Sequence, residues 1–189
     1  MDIRFHGRGG QGTVLAAKIL ADIVLRSGKG ECQAMPEFGV ERRGAPVVAY
    51  ARISESKILL RSRIYEPDAV VLIDPSLAAD PAILRGLKPG GLFIVNTEKD
   101  AAALDLRWPG LRLIPIPARR IALAHKLGSP TSPIVSTVVC GALTAIFRLA
   151  EPAVLEAAIR DAVPSHVEAN VAAAREAFDL GLSHAYAQA

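Results

Sequence analysis

The sequence contains few cysteines and few aromatic residues, and each shortage argues against a class of function. Its two cysteines, Cys32 and Cys140, lie far apart among 189 residues, and neither belongs to a Cys-x-x-Cys motif. An iron–sulfur cluster normally needs four cysteines from the chain that holds it, so this chain cannot hold one alone. We therefore interpret both cysteines as small buried apolar residues. Aromatic residues make up only 5% of the chain, which argues against a stacking surface for single-stranded nucleic acid.

The sequence also lacks a strong excess of one charge. Its 22 basic and 19 acidic residues give a formal net charge of +3. The local basic excess is confined to three short sites, Arg42-Arg43, Arg61-Ser62-Arg63 and Arg119-Arg120. Each site is too small for a polyanion track. We therefore expect no nucleic-acid partner, and an anionic small molecule or an acidic partner subunit fits better.

No apolar run is long enough to cross a membrane. The longest nearly apolar stretch, residues 134–147, is too short to span a bilayer and includes three hydroxyl side chains. It is typical of a buried helix. Polar residues from Asp2 onward interrupt the N-terminus, so no signal peptide is predicted. We expect a cytoplasmic location and no membrane partner.

What the sequence does contain is a regular alternation of strand and helix patterns. Strands are predicted over residues 3–6, 46–53, 69–73, 92–95 and 113–116, with 57–60 as a candidate partner of the second, and helices over 11–26, 77–87 and the C-terminal third. Alternation of this kind indicates an α/β fold with an open, largely parallel sheet flanked by helices. We predict a single domain over residues 1–189. Such sheets bind ligands at the carboxyl ends of their strands.

The first predicted strand is followed by a glycine loop, Gly7-Arg8-Gly9-Gly10-Gln11-Gly12. A loop of this kind places free backbone N–H groups at a helix N-terminus, where they bind phosphate or another anion. The glycine spacing also satisfies the dinucleotide fingerprint G-x-G-x-x-G, which needs an acidic residue about 20 positions further on. Glu31 lies near that distance but opens the next strand instead of closing it. Three interpretations remain: an anion site, an NAD(P) site in a free-standing Rossmann-like oxidoreductase, and a tight turn without a ligand.

A second loop, between Pro36 and Pro46, concentrates charge among glycines. Glu41, Arg42 and Arg43 stand together at its centre. Arginines form bidentate bonds to carboxylate or phosphate, and a neighbouring glutamate can hold one of them in place. We interpret this loop as a charged interface or ligand site, with a plain surface loop as the alternative.

The remaining polar residues receive structural interpretations. Asp74-Pro75-Ser76 follows the strand over 69–73 and is typical of a turn that caps a helix. His6 borders the glycine loop and is interpreted as a packed or partly exposed strand residue. No Ser/His/Asp or Cys/His set is evident. We therefore name no catalytic residue and no metal ligand.

The two loops together resemble the gamma subunit of 2-oxoacid:acceptor oxidoreductases, of which the pyruvate:ferredoxin type is best known. The resemblance runs from about residue 3 to about residue 182. Neither loop would suffice alone, since the specific signal is their pairing. The segments that carry it are Gly7–Gly12 with Ala16-Ala17-Lys18, Glu37–Pro46, Arg52-Ile53-Ser54, Pro67–Leu77, Gly141-Ala142-Leu143 and Glu168-Ala169-Asn170.

The resemblance implies a function that composition and spacing do not. Enzymes of this family convert a 2-oxoacid and coenzyme A to acyl-CoA and CO2. Thiamine diphosphate and [4Fe-4S] clusters are expected on alpha, beta and delta-type subunits, and ferredoxin or another acceptor takes the electrons. The gamma unit is expected to hold neither cofactor, and its implied role is to complete the assembly and the coenzyme A side of the active site. The cofactor-binding residues so assigned are Gly7, Gly9, Gly10, Gln11, Gly12, Glu41, Arg42 and Arg43.

Two details refine the resemblance. The E-R-R-G-A-P form of the second loop resembles the pyruvate-like branch, whereas the 2-oxoglutarate-like branch more often has E-M-R-G-G. An aryl 2-oxoacid such as phenylglyoxylate is the other substrate that we consider. Ser136 is a departure, because members often carry Asn there. If that Asn contributes to the ligand region, its hydrogen bond is altered in this chain.

Overall fold

A six-stranded sheet runs through the described part of this protein, in a computed structural model that describes residues 1–37, 44–99 and 111–185. Its strands, β1 to β6, span Asp2–Arg8, Glu31–Pro36, Pro46–Ser54, Ala69–Leu72, Leu92–Asn96 and Arg112–Ile116. They lie in the order β2-β3-β1-β4-β5-β6. Strands β1, β4, β5 and β6 are mutually parallel, whereas β3 is antiparallel to both β1 and β2. The predicted open, largely parallel α/β sheet is confirmed.

The helices pack mainly on one face of the sheet. Helices α1 to α5 span Thr13–Ser27, Ala118–Ala124, Ser136–Ile146, Pro152–Ala162 and Val167–Leu182, and a small hairpin, β7 and β8, covers Gly128–Ser129 and Ser132–Pro133. Alternate residues of β1 explain this placement, because Ile3 and Phe5 are fully buried in the helix-covered core. A smaller apolar cluster on the opposite face contains Val70, Leu72 and Phe93. Among the described residues, helices therefore dominate one side of the sheet, and the turn that contains Ile83 and Leu84 packs on the other.

Two predicted elements were wrong. Residues 57–60 do not pair with β3. The hairpin partner of β3 is β2, which starts at Glu31, as the sequence indicated, and continues to Pro36. The helix predicted over 77–87 is replaced by two short 3-10 turns, Pro75–Leu77 and Pro81–Leu84. Pro81 interrupts the predicted span because proline cannot donate to the preceding turn, and the Asp80 side chain caps the new turn by accepting from the Ala82 amide.

The C-terminal helices form the deepest part of the core. Every residue of α3 is buried, as expected for the apolar run over 134–147. On α5, Val171, Ala174 and Phe178 are buried, whereas Leu182 is 53% exposed. Within the described part of the chain, no helix has both the length and the apolar character needed to cross a bilayer.

Both cysteines have protected thiols. Cys140 is fully buried on α3 and contacts the Ala16 carbonyl oxygen at 3.3 Å. Cys32 is partly buried on β2. Burial raises the pKa of the Cys32 thiol to about 12 and also raises that of Cys140. Both side chains therefore act as packing residues rather than nucleophiles.

Gly141 sets the distance between α3 and α5. A Cβ added there would lie 2.8 Å from the carbonyl carbon of Ala174, closer than real contacts allow. We predict that Gly141→Ala lowers the free energy of unfolding by about 1–3 kcal/mol, the usual cost of overpacking. A lower free energy of unfolding would indicate the steric clash, because Gly→Ala in an unconstrained helix raises the free energy of unfolding by about 1 kcal/mol.

Urea unfolding of the purified chain measures this effect. The matched control is Ala157→Gly on the exposed face of α4, which should cost only the propensity difference of about 1 kcal/mol. An unchanged or higher midpoint for Gly141→Ala would show that the two helices can move apart at no cost.

Candidate functional site

The glycine loop and the second charged loop adjoin each other at one edge of the sheet. The Gly9 amide donates to the Ala45 carbonyl at 2.9 Å, and the Gly44 amide donates to the Gly9 carbonyl at 3.0 Å. The Arg8 guanidinium also donates to the Gly44 carbonyl at 3.0 Å. The two motifs whose pairing carried the family resemblance are therefore hydrogen-bonded through the end of the second loop.

The glycine loop ends at an uncapped helix. Gly12 precedes α1 with φ 79°, in the left-handed region that favours glycine, and no side chain caps the helix. Helix α3 also has no side-chain cap at its N-terminus, where Val135 stands. The first amide N–H groups of both helices therefore lack a side-chain acceptor. The partial positive charge at each N-terminus favours an anion.

The two helix N-termini are in close contact. A Cβ added at Gly12 would lie 2.9 Å from both Cβ and Oγ of Ser136, the first residue of α3. The hydroxyls of Ser136 and Thr13 are buried and have no hydrogen-bond partner among the described residues. Position 136, where the resemblance implies Asn, thus lies directly against the glycine loop. A longer Asn side chain at position 136 would need additional space here.

A cavity of about 580 Å³ opens beside these N-termini. It lies at the carboxyl ends of the parallel strands, where open α/β sheets bind ligands. Gln11 of the glycine loop and Val135 before α3 both line it. The other lining residues are Ile73, Asp74, Pro75, Ser76, Asn96, Thr97, Glu98, Lys99, Arg119, Thr131 and Pro133. The wall carries both signs of charge, with Lys99 and Arg119 against Asp74 and Glu98, and Asp74 is paired with Arg8.

Asp74 links the end of β4 to the glycine loop. Its carboxylate accepts hydrogen bonds from Gln11 Nε2 at 2.7 Å and from the Ser76 amide at 2.9 Å. Arg8 Nε lies 3.2 Å from the same carboxylate. Burial opposes ionisation, yet the bonds from Ser76 and Gln11 and the charge of Arg8 keep the pKa of Asp74 below its ordinary value. The predicted turn and capping role of Asp74 is confirmed, and the structure adds this tether.

Asn96 and Arg119 are site residues that sequence reasoning missed. Asn96 is 8% exposed, donates to the Ile73 carbonyl at 2.9 Å and accepts from the Arg119 amide at 2.9 Å. It therefore joins the ends of β4 and β5 to the start of α2. The sequence contained one indication of the role of Asn96, its position directly after the apolar strand over 92–95. Residues that follow parallel strands share one sheet edge.

His6 does not face the glycine loop's anion site. Its side chain is 8% exposed, and its Nε2 accepts from Arg4 Nε at 3.0 Å. Burial, with a smaller effect of the Arg4 charge, lowers the pKa of His6 to about 4. The imidazole is therefore neutral at physiological pH, and the prediction of a packed strand residue is confirmed.

The predicted site residues fall into two groups. Residues 7–12 adjoin the cavity through Gln11, which lines its wall, whereas Gly10 is exposed and Gly7 is buried. Glu41, Arg42 and Arg43 lie outside the described residues. Among those described, no group of three or more His, Cys, Asp or Glu side chains is placed to hold a metal ion.

The sheet order does not favour a dinucleotide site. In a Rossmann fold the strand after the first helix neighbours β1 and ends in the ribose-binding acid. Here β3 lies between β1 and β2. Glu31 pairs with Ser54, at the opposite edge from the glycine loop, since Arg8 pairs with Pro46 at the other end of β3. The carboxylate at about the expected spacing is therefore remote from the loop.

The geometry defines an α/β protein with a crevice beside two helix N-termini at the carboxyl edge of its sheet, and comparison with known proteins gives its family. The model of the pyruvate ferredoxin/flavodoxin oxidoreductase family matches residues 2–180. This chain therefore belongs to that family, and the resemblance to its gamma subunits is confirmed.

Named relatives match nearly the whole chain. The Pyrococcus abyssi pyruvate/ketoisovalerate oxidoreductases common subunit gamma is 46% identical over 182 residues, covering 95% of this chain and 96% of that protein. The Methanocaldococcus jannaschii pyruvate synthase subunit PorC is 44% identical over 180 residues, with 95% and 96% covered.

Solved structures share the fold. The Thermotoga maritima pyruvate oxidoreductase subunit PORC superposes with a TM-score of 0.77 at 32% identity, covering 95% of each chain. A 2-oxoglutarate:ferredoxin oxidoreductase from Magnetococcus marinus, solved with 2-oxoglutarate, coenzyme A and succinyl-CoA, gives a TM-score of 0.72 at 22% identity. The match covers 98% of this chain and 31% of that one, and at this identity it shows the fold alone.

We predict that Asp74→Asn lowers the free energy of unfolding at pH 7 by about 1.5–3 kcal/mol, as expected for hydrogen bonds to a charged group. The folded-state pKa of Asp74 is lowered, so its stabilisation is present above the unfolded value of about 3.9. That stabilisation is lost as the pH falls through the lower folded value. The wild type and the variant should therefore converge in strongly acidic solution.

Urea titrations between pH 7 and pH 3 test this dependence. Asp161→Asn is the control, because Asp161 is 66% exposed in its pair with Arg26 and such pairs contribute about 0–1 kcal/mol. A constant difference between wild type and Asp74→Asn at every pH would mean that ionised Asp74 does not hold the loop.

Proposed function

We propose that this chain is the gamma subunit of a 2-oxoacid oxidoreductase that converts a 2-oxoacid and coenzyme A to acyl-CoA and CO2. The carrying observation is the 46% identity to a common subunit gamma along 95% of this chain. Its role would be to complete the assembly and to form part of the coenzyme A side of the active site. The chain would act as one domain without catalysing the reaction by itself.

The partners and cofactors follow from this proposal. Thiamine diphosphate supplies the carbanion chemistry and [4Fe-4S] clusters accept the electrons, both on alpha, beta and delta-type subunits. Ferredoxin or another acceptor then removes the electrons. The two protected thiols of this chain do not suit it to hold a cluster, since a cluster normally takes four cysteine ligands. A cytoplasmic location remains a prediction.

The substrate would be a 2-oxoacid of the pyruvate or ketoisovalerate class. Relatives of this chain carry the names pyruvate/ketoisovalerate oxidoreductase and pyruvate synthase, and the second loop has the E-R-R-G-A-P form. Phenylglyoxylate, the aryl alternative, has no support among these relatives. We place it second, to be tested in the same assay.

The proposed ligand surface is the cavity beside the glycine loop. Two uncapped helix N-termini, the exposed Gly10 and the side chains of Lys99 and Arg119 offer N–H groups and positive charge. Coenzyme A carries phosphates that match this chemistry. Two acidic side chains also line the cavity, Asp74, which is paired with Arg8, and Glu98. We also retain Glu41, Arg42 and Arg43 as residues that face coenzyme A or a partner subunit.

Purification from the native host tests the function. We expect other subunits to co-purify, with thiamine diphosphate and iron–sulfur absorbance, and the complex to reduce a viologen dye with pyruvate and coenzyme A. The isolated chain should be inactive even with both cofactors added. Oxoacid-dependent dye reduction by the lone chain, or tight NAD(P) binding by it, would contradict the proposal and favour the free-standing oxidoreductase.

Lys99→Ala in the assembled enzyme tests the ligand surface. We expect KM for coenzyme A to rise about 10-fold, which corresponds to about 1.4 kcal/mol, with little change in KM for the 2-oxoacid. The matched control is Lys18→Ala, an exposed lysine on α1 that does not line the cavity. If KM for coenzyme A is the same in both variants and in the wild type, this cavity is not part of the coenzyme A site.

A further inference from the structure

Residues 57–65, Lys57-Ile58-Leu59-Leu60-Arg61-Ser62-Arg63-Ile64-Tyr65, form an exposed segment between β3 and β4. Leu59 is 79% exposed, Leu60 66% and Tyr65 72%. Within the described part of the chain, these are the highest exposures of any large apolar side chain. Such side chains clustered in one short segment are typical of an interaction site rather than of ordinary surface.

The backbone of this segment is also unpaired. No residue from 57 to 65 takes part in a hydrogen bond between main-chain groups of the described residues. The segment is nevertheless held in place, because Arg52 donates to the Leu60 carbonyl at 3.0 Å and Ile64 is 3% exposed. Apart from the Leu60 carbonyl, the N–H and C=O groups of residues 57–60 form no hydrogen bond with the described residues, so they can accept an added extended strand, as exposed strand edges do.

The segment is positively charged. It contains Lys57, Arg61 and Arg63 and no acidic residue. Arg63 pairs with Glu37 at 2.7 Å, whereas Lys57 and Arg61 form no ion pair with any described residue. The surface therefore combines exposed apolar side chains, main-chain groups that pair with no described main chain, and two cations that pair with no described carboxylate.

A neighbouring cavity of about 300 Å³ extends this positive surface. Arg63 and Tyr65 line it together with Arg4, Arg85 and one carboxylate, Glu37, which is paired with Arg63. Arg4 is 8% exposed, and its guanidinium bonds to the Ile83 and Arg85 carbonyls and to His6. No carboxylate of the described residues lies within ion-pair distance of it. An acidic side chain brought by a partner would complement this site.

We propose that the 57–65 segment docks an extended, acidic and apolar segment of another subunit of the oxidoreductase. The partner chain adds main-chain hydrogen bonds along residues 57–60, covers Leu59, Leu60 and Tyr65, and places carboxylates against Arg61 and the arginine-lined cavity. A second copy of this chain fits less well. A two-fold contact centred on the segment would bring Arg61 against its own equivalent, and like charges at close range are unfavourable.

Hydrogen exchange followed by mass spectrometry tests this surface in the intact complex. The proposal rests on the proposed function, which supplies the partner subunits. We expect backbone amides of residues 57–65 to exchange at least 10-fold more slowly in the complex than in the isolated chain. Equal exchange in an assembled complex would overturn the docking surface while leaving the proposed function intact. Failure to form any complex would overturn both.

Matched variants identify the contacts. Leu59→Ser/Leu60→Ser and Arg61→Glu should each weaken retention of this chain in the complex at least 10-fold on a sizing column. Leu25→Ser/Leu182→Ser is the control, since these side chains are also exposed, at 50% and 53%, but lie on helices. All variants should unfold at the same urea midpoint. Retention equal to that of the control would overturn the proposal.

Light scattering of the isolated chain tests whether a second copy of this chain occupies the 57–65 segment. We expect a monomer for the wild type and for both segment variants. A wild-type dimer that Leu59→Ser/Leu60→Ser converts to a monomer would assign the surface to a second copy and overturn the acidic partner.

Discussion

The close approach of two helix N-termini at Gly12 governs the arrangement of the candidate site. Only a residue without Cβ can adopt the φ of 79° there at no steric cost while Ser136 Cβ and Oγ lie where a Cβ would otherwise meet them. This contact fixes where α1 begins and how near α3 comes. It also places two sets of uncapped amides beside one cavity. A larger side chain would separate the helices and disperse the positive potential.

The second constraint is the sheet topology. Strand β3 lies antiparallel between β1 and β2, so the hairpin connection after β2 ends next to the glycine loop. The bonds of Gly9 to Gly44 and Ala45 follow from this register. The same insertion removes the neighbouring parallel strand that a dinucleotide site requires. One topological feature therefore supports a paired-loop site and disfavours NAD(P) binding.

Electrostatics divide the molecule into two positively charged regions with different character. At the carboxyl edge, Asp74 is held by Arg8 and Gln11, and the remaining positive potential comes largely from helix N-termini. Around residues 57–65, the positive charge resides on arginine and lysine side chains next to exposed leucines. We propose the first region as the coenzyme A surface and the second as a surface that docks another subunit.

The sequence by itself determined the α/β class, the limits of most strands to within two residues, the buried helix over 134–147 and the family. These depend on hydrophobic period and on local motifs, which short segments encode.

The tertiary structure alone decided the strand order, because pairing joins residues far apart in the chain. It replaced the helix over 77–87 with turns at Pro75 and Pro81 and gave β3 the partner β2 instead of residues 57–60. It also brought Asn96 and Arg119 to the glycine loop's cavity. The position of Asn96 directly after the strand over 92–95 indicated this sheet edge, but its contact with Arg119 depends on how the parallel strands and α2 align.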